Sequence, residues 1–378
     1  MQFEIMRDRL LDGLNDVVKA ISSKVTTPIL TGIKLEATEK GLTMTGSDSD
    51  ITISTFIPLE EDGTQIIKMI QSGTLVLQAK VFNEIIRKLP TNEVMIELRD
   101  GMKTHIRSGQ SEFHIIAQSA DEYPILPDVQ NAERFELPAD LMKSIIRETV
   151  FAVSQQETRP VLTGVQWMMK EDELLCIATD SHRLARRIIT PEVQASAPFN
   201  AVIPGKSLQE LSKILPDHST AVEIFIANQQ VLFKLHNVLF YSRLLEGNYP
   251  DTSRLIPSEY KTSITINGRN LLQAIDRASL LAREDRNNIV HFSTDGSPHV
   301  QISSNSPDVG NVEELVEAVH IEGEPLKISF SAKYMMDALK AIDGQDLKIH
   351  FTGSMRPFIL KSIDSEAILQ LILPVRTF

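Results

Sequence analysis

Asp180, Ser181 and His182 are the residue types of a hydrolytic triad, and they stand side by side. A working triad draws its acid, base and nucleophile from separate segments so that the side chains converge, which three adjacent residues cannot easily do. Gly205-Lys206-Ser207 resembles the tail of a phosphate-binding loop, but residue 200 is Asn where that motif needs Gly. The tripeptide also follows Ile203-Pro204 at the start of a helical pattern, so helix capping explains it better. There is no HExxH, the nine histidines show no metal-ligand spacing, and the single Cys176 excludes a disulfide framework or multi-cysteine metal site. An enzyme is therefore not expected, and no catalytic residue, cofactor or metal is assigned.

The Asp-Ser-His trio belongs to a stretch, Arg159 to Arg187, that reads as two short strands, and the chain has written that stretch twice. Pro28-Ile29-Leu30-Thr31-Gly32 answers Pro160-Val161-Leu162-Thr163-Gly164 at an offset of 132 (160 − 28). With no gap, Leu42 then meets Leu174, Asp48 meets Asp180 and Ser49 meets Ser181. A repeat this long implies a duplicated structural unit. Leu89-Pro90-Thr91-Asn92 and Leu215-Pro216-Asp217-His218 each lead into a strand, as does Ile342-Asp343-Gly344-Gln345, and Tyr123-Pro124 and Tyr249-Pro250 close the first two units. Three domains follow, 1–129, 130–256 and 257–378, each holding two copies of a helix-plus-strands motif. The repeat is weakest in the third, where Ser304-Asn305-Ser306 replaces Thr-Asp-Ser.

Apolar residues at i, i+3, i+4 and i+7 predict six helices: Arg9–Ile21, Ala79–Leu89, Pro138–Ser154, Pro204–Leu215, Asn267–Ala282 and Ser331–Ile342. Period-two segments such as Val94–Leu98, Val231–Leu235 and Leu347–Phe351 predict strands, with Gly, Asn and Asp marking the turns. One-sided burial and frequent hairpins point to an α+β fold of antiparallel sheets with helices on one side. Repeats of this kind leave a long concave or enclosing surface. Basic residues recur at helical spacing on the polar stripes: Lys80 and Arg87, Lys143 and Arg147, Lys206 and Lys213, Arg269 and Arg277, Lys333 and Lys340. One such helix reads as a solvated face with paired charges, since Glu84, Asp276 and Asp337 lie among them. The same habit on successive helices favours a positive interior wall on an acidic body.

That body carries a net charge of −12 over 378 residues, which by itself argues against a nucleic-acid binder. Distribution matters more than the average. The N-terminus lacks the apolar core of a signal peptide and no run approaches membrane-spanning length, so a cytoplasmic protein is expected.

At Ala178-Thr179-Asp180-Ser181-His182-Arg183-Leu184-Ala185, Asn248-Tyr249-Pro250-Asp251 and Leu373-Pro374-Val375-Arg376, in this order and spacing, the chain resembles the bacterial β sliding clamp family, the processivity subunit of DNA polymerase III. The resemblance spans the whole chain. It implies the DNA-clamp fold, in which two chains join head to tail into a ring whose helices surround duplex DNA without reading its sequence. Two chains carry −24, twice −12, which should discourage tight gripping of phosphate. It also implies a pocket for short linear peptides of the replicative polymerase, clamp loader, other polymerases, mismatch-repair proteins and ligase. Leu162, Thr179, His182, Arg183, Leu184, Pro250, Arg254, Leu255, Ile372, Leu373, Pro374, Val375 and Arg376 would line that pocket. The ring contact would set Phe113 and Ile115 against Leu280 and Leu281 of the other chain. Lys24, Lys80, Arg87, Lys143, Arg147, Lys206, Lys213, Arg269 and Arg277 are the DNA-facing candidates.

The chain departs from the family pattern at Ser181, where many members have Gly, and at Tyr249, where Phe is commoner. The tail also runs on past Arg376 to Thr377-Phe378, and Pro357 stands where some members have a small polar residue. Two rival readings are a repeat-built protein scaffold that does not encircle DNA and a hydrolase centred on Ser181 and His182.

Overall fold

Each of the six helices is fed directly by a strand, with no loop between. The computed structural model describes the chain apart from residues 23–26, 127–128, 130–131, 193–194, 283–287, 308, 343–345 and 377–378. Among the described residues the α-helices are α1 (Arg7–Val17), α2 (Ala79–Lys88), α3 (Ala139–Thr149), α4 (Gly205–Ser212), α5 (Gly268–Ala282) and α6 (Ala332–Ala341). The strands Gln2–Met6, Gly73–Gln78, Glu133–Pro138, Phe199–Pro204, Thr262–Asn267 and Leu326–Ser331 run straight into them. The expected helices thus all form, with shifted ends. Pro138 and Pro204 close the preceding strand instead of opening the helix. α4 stops short of Leu215 because Lys213 and Ile214 donate to Glu210 and Leu211, three residues back, tightening the last turn. At α5 the Asn267 side chain accepts from the Asn270 N–H at 3.1 Å, an N-cap.

The first compact unit comprises residues 1–140, 193–196 and 209–244. It holds a five-stranded and an eight-stranded antiparallel sheet. α1 packs on α2 and on the strands Gly41–Ser47 and Ile51–Pro58, burying Leu10, Leu14 and Val17. Gly46 is required there, since a Cβ would lie 2.4 Å from the Val17 carbonyl oxygen.

The second unit comprises residues 141–192, 197–208 and 245–378 and is organised on one twelve-stranded antiparallel sheet. The strand Arg183–Ile189 pairs with the last strand, Ile368–Ile372, so segments far apart in sequence are neighbours in one ladder. α5 and α6 cover one face of its C-terminal part, packing Leu271, Ile275, Met335 and Leu339 with Phe292, Phe330, Phe351 and Phe358. Alternate residues look the other way: Ile359, Leu369 and Leu371 join Ile177 and Leu184 in a separate apolar cluster. No described helix is long and apolar enough to cross a membrane.

Candidate partner-binding site

The duplicated stretch folds twice into one and the same turn. In the first copy the Asp48 carboxylate accepts from the backbone N–H of Asp50 and Ile51, at 3.1 and 2.9 Å. In the second, Asp180 accepts from His182 and Arg183, at 2.9 and 3.0 Å. Ser49 and Ser181 both take left-handed backbone, φ 84° and 76°. Ahead of each turn, Thr31 and Thr163 donate to the carbonyls of Pro28 and Pro160. What differs is the residue that leaves the turn. Ile51 goes into the core, whereas Arg183 carries a charge into the second unit.

That charge is fully committed. Arg183 is 7% exposed, and its guanidinium bonds Asp180 at 3.0 Å, Asp337 at 2.7 Å and the Phe151 carbonyl at 2.5 Å. It also lies over the rings of Tyr334 and Phe151, 4.5 and 5.3 Å from their centroids. Arg183 therefore pins the turn to α6 and to the turn after α3. Its guanidinium is occupied by the protein itself. With the Asp180 carboxylate held by Arg183 and by backbone N–H groups, the Asp-Ser-His trio lacks the acid–base alignment that hydrolysis needs.

Tyr249 secures the other side. Its hydroxyl accepts the Thr179 N–H at 3.0 Å, and burial raises its pKa, so it stays protonated. The Thr179 hydroxyl donates to the Arg183 carbonyl at 2.6 Å. The C-terminal tail is then laid across this turn: Leu373 N–H donates to the His182 carbonyl at 3.0 Å and Val375 N–H to Ser329 at 2.8 Å.

Leu373, Tyr249, Leu175, Ile256 and Tyr260 pack, partly buried, around Ile177, Leu184, Ile359, Leu369 and Leu371 on the sheet face away from α5 and α6. A buried apolar layer with partly buried apolar side chains over it and polar groups beside it has the chemistry that suits apolar side chains of an extended peptide. Of the expected lining, Leu184 and Leu373 belong to this cluster, Thr179 and Arg183 are buried in the adjoining turn, Pro374 and Val375 are half-buried and Arg376 is exposed. His182 and Pro250 are exposed, and Arg254 and Leu255 stand exposed in a short helical turn, Leu255 at 48%. Leu162 is buried in the turn Pro160–Thr163. Ile372 must be corrected: it alternates to the opposite face and sits, 1% exposed, in the core under the helices. Leu175, Ile177, Leu369, Leu371 and Tyr260 share this cluster and were not among the expected lining. The period-two run Leu175, Ile177, Thr179 was the signal that could have found the first two.

The DNA-facing candidates divide by partner. Lys80 and Arg269 are exposed on α2 and α5. Arg87 donates to Asn15 at 3.0 Å, Arg147 lies 3.6 Å from Glu148, and Lys213, just past α4, pairs with Glu210 at 2.8 Å. Arg277 grips Glu314 through two bonds of 2.8 and 2.6 Å. Lys206 is exposed, Lys143 is half-buried, and both are partnered. Lys24 lies outside the described residues. Of the ring-contact candidates, Phe113 is 36% and Leu280 59% exposed, while Ile115 and Leu281 are half-buried.

Three family models cover the chain: the DNA polymerase III beta subunit N-terminal domain over residues 1–127, its central domain over 136–251 and its C-terminal domain over 253–376. The beta sliding clamp of Bacillus subtilis is 54% identical over the full length of both chains. The chain belongs to the beta sliding clamp family. The clamp of Staphylococcus epidermidis is 49% identical, also over the full length of both. Solved structures agree: the Bacillus subtilis DNA polymerase sliding clamp matches with a TM-score of 0.98, and the Streptococcus pneumoniae DNA polymerase III beta chain, 38% identical, with 0.95, each over 100% of both chains. The α+β architecture described above is thus the DNA-clamp fold of the beta sliding clamps, in three domains.

Proposed function

We infer that this protein is a DNA sliding clamp, a non-catalytic subunit that encircles duplex DNA and gives the replicative polymerase processivity. The observation that carries the inference is the full-length match of all three clamp domains, 54% identical to a beta sliding clamp. It favours the clamp over a scaffold that does not encircle DNA.

Finer features belong to the same reading. The domains run 1–129, 130–256 and 257–378, and the protein works in the cytoplasm. Two chains close head to tail, with Phe113 and Ile115 meeting Leu280 and Leu281. The apolar cluster beside Thr179, His182 and the tail 373–376 receives short peptides from the clamp loader, polymerases, mismatch-repair proteins and ligase. Its partly buried apolar side chains and the backbone-anchored tail support this.

Retention on DNA tests the function. Loaded by a clamp loader onto nicked circular plasmid, the protein should survive a high-salt wash and slide off once the circle is cut. A protein held by phosphate contacts would instead lose roughly 10³–10⁵ in affinity as salt rises. Release by salt alone would sink the encirclement.

A further inference from the structure

We propose that His105, Glu112 and His114 form a binding site for one zinc ion on the five-stranded sheet of the first unit. His105, on the strand Lys103–Ser108, stands directly opposite His114 on the neighbouring strand Ser111–Ile116. Their rings stack with centroids 4.6 Å apart and planes 13° from parallel. His105 is only 5% exposed, yet neither of its ring nitrogens has a hydrogen-bond partner. Its Nε2 lies 3.7 Å from the Glu112 carboxylate and its Nδ1 3.7 Å from that of Glu97, too far for hydrogen bonds. A buried imidazole with both ring nitrogens unpartnered calls for a group that takes its lone pair.

A metal ion fits the gap. One ligand atom each from His105, Glu112 and His114 can be chosen so that all three lie within 4.8 Å of one another. Tetrahedral zinc, with Zn–N and Zn–O bonds of about 2.0–2.2 Å, holds its ligand atoms roughly 3.3–3.5 Å apart. The His105–Glu112 pair is within a few tenths of an ångström of that spacing, by the ~3.5 Å upper end of the same range. Glu112 and His114 are exposed and can rotate to close the rest. Glu97, held by Arg99, has its carboxylate 3.7 Å from Nδ1; a small shift would let it accept the Nδ1–H and leave Nε2 as the metal-binding lone pair. Arg107, the cross-strand neighbour of Glu112, turns its guanidinium toward the Met95 sulfur at 3.8 Å. Two imidazoles and one carboxylate favour zinc over magnesium or calcium, which take oxygen ligands, and leave a fourth position for water. Spacing along the chain could not show this, because strand register alone brings the two histidines together.

The test is calorimetric titration of the metal-free full-length protein with zinc chloride. One zinc per chain should bind, and H114A and E112Q should each weaken it at least tenfold. E97Q should weaken it by about 10–100-fold through the orientation of His105. Because His105 is buried and H105A could disturb the sheet, the exposed H114A and E112Q variants carry the decision, with circular dichroism confirming that each is folded. No saturable binding, or binding unchanged in both variants, would overturn the proposal.

Discussion

Ser181 and Tyr249 each acquire a physical meaning in the fold. A left-handed φ of 76° costs a side-chain-bearing residue roughly 1–2 kcal/mol relative to right-handed backbone, against about 0.5–1 kcal/mol for the extra freedom a glycine loses. S181G should therefore be more stable by about 0.5–1 kcal/mol in urea denaturation; a loss of stability would mean the Ser181 side chain has a task of its own. Y249F has the opposite sign. It leaves the Thr179 N–H without the hydroxyl that accepts it, and the expected cost is about 1–3 kcal/mol. The same denaturation series measures it, and a neutral result would show that water replaces the hydroxyl. At this scale the sequence was only partly legible. That Asp180 would organise a turn is written in its Asx chemistry. That Arg183 would spend its whole guanidinium on Asp180, Asp337 and Phe151 is not, because Asp337 and Phe151 reach it only through the fold.

At the level of elements, helices were readable because each buries a single stripe, as α2 does with Phe82, Ile85 and Ile86. Faces of the sheet were harder. In the last strand every residue from Ile368 to Ile372 is at least half-buried, since one face looks to the helices and the other to the apolar cluster. Without a polar alternation nothing in the sequence distinguishes Ile372 from Leu373. The tail beyond is held by backbone bonds, so replacing Leu373, Pro374 and Val375 together with Ala should leave the fold intact. Partner-peptide affinity should fall at least tenfold, at roughly 1–3 kcal/mol per apolar anchor. Fluorescence titration of a labelled partner peptide reads this, and a change under about threefold would remove the tail from the site. The same unit should also respond to acid. Burial holds His350, stacked on Tyr260 at 4.3 Å, below the usual histidine range, with Lys361 and Lys348 adding to it. Burial and then Lys327 do the same for His291. Both are neutral in the folded chain at a pH where the unfolded chain already binds protons. Stability is therefore present above about pH 6.5 and is lost as pH falls through the lower folded values. Thermal melts between pH 7.5 and 5 should fall, and H350Q should flatten the curve.

For the whole molecule, some of the basic residues on the helix faces are paired with carboxylates where they stand. Arg277 is matched by Glu314 and Lys213 by Glu210. Arg269 and Lys80 should thus contribute most to any contact with phosphate. R269A should reduce the salt dependence of DNA sliding or loading by about one counterion, with R277A nearly silent. Equal effects would place Arg277 against the duplex as well. The threefold design itself was legible because duplicated turns keep their wiring. What the repeat could not announce was that the middle third of the chain gives strands to both compact units. The ladder between Arg183–Ile189 and Ile368–Ile372 then has a consequence for biosynthesis. During translation the earlier strand emerges with an open edge and must wait for Ile368–Ile372, far later in the chain, to close it. An unpaired edge of this kind is a site for wrong pairing with other nascent chains. Each premature stop in the final strand should therefore yield insoluble protein, however much of the chain has already folded.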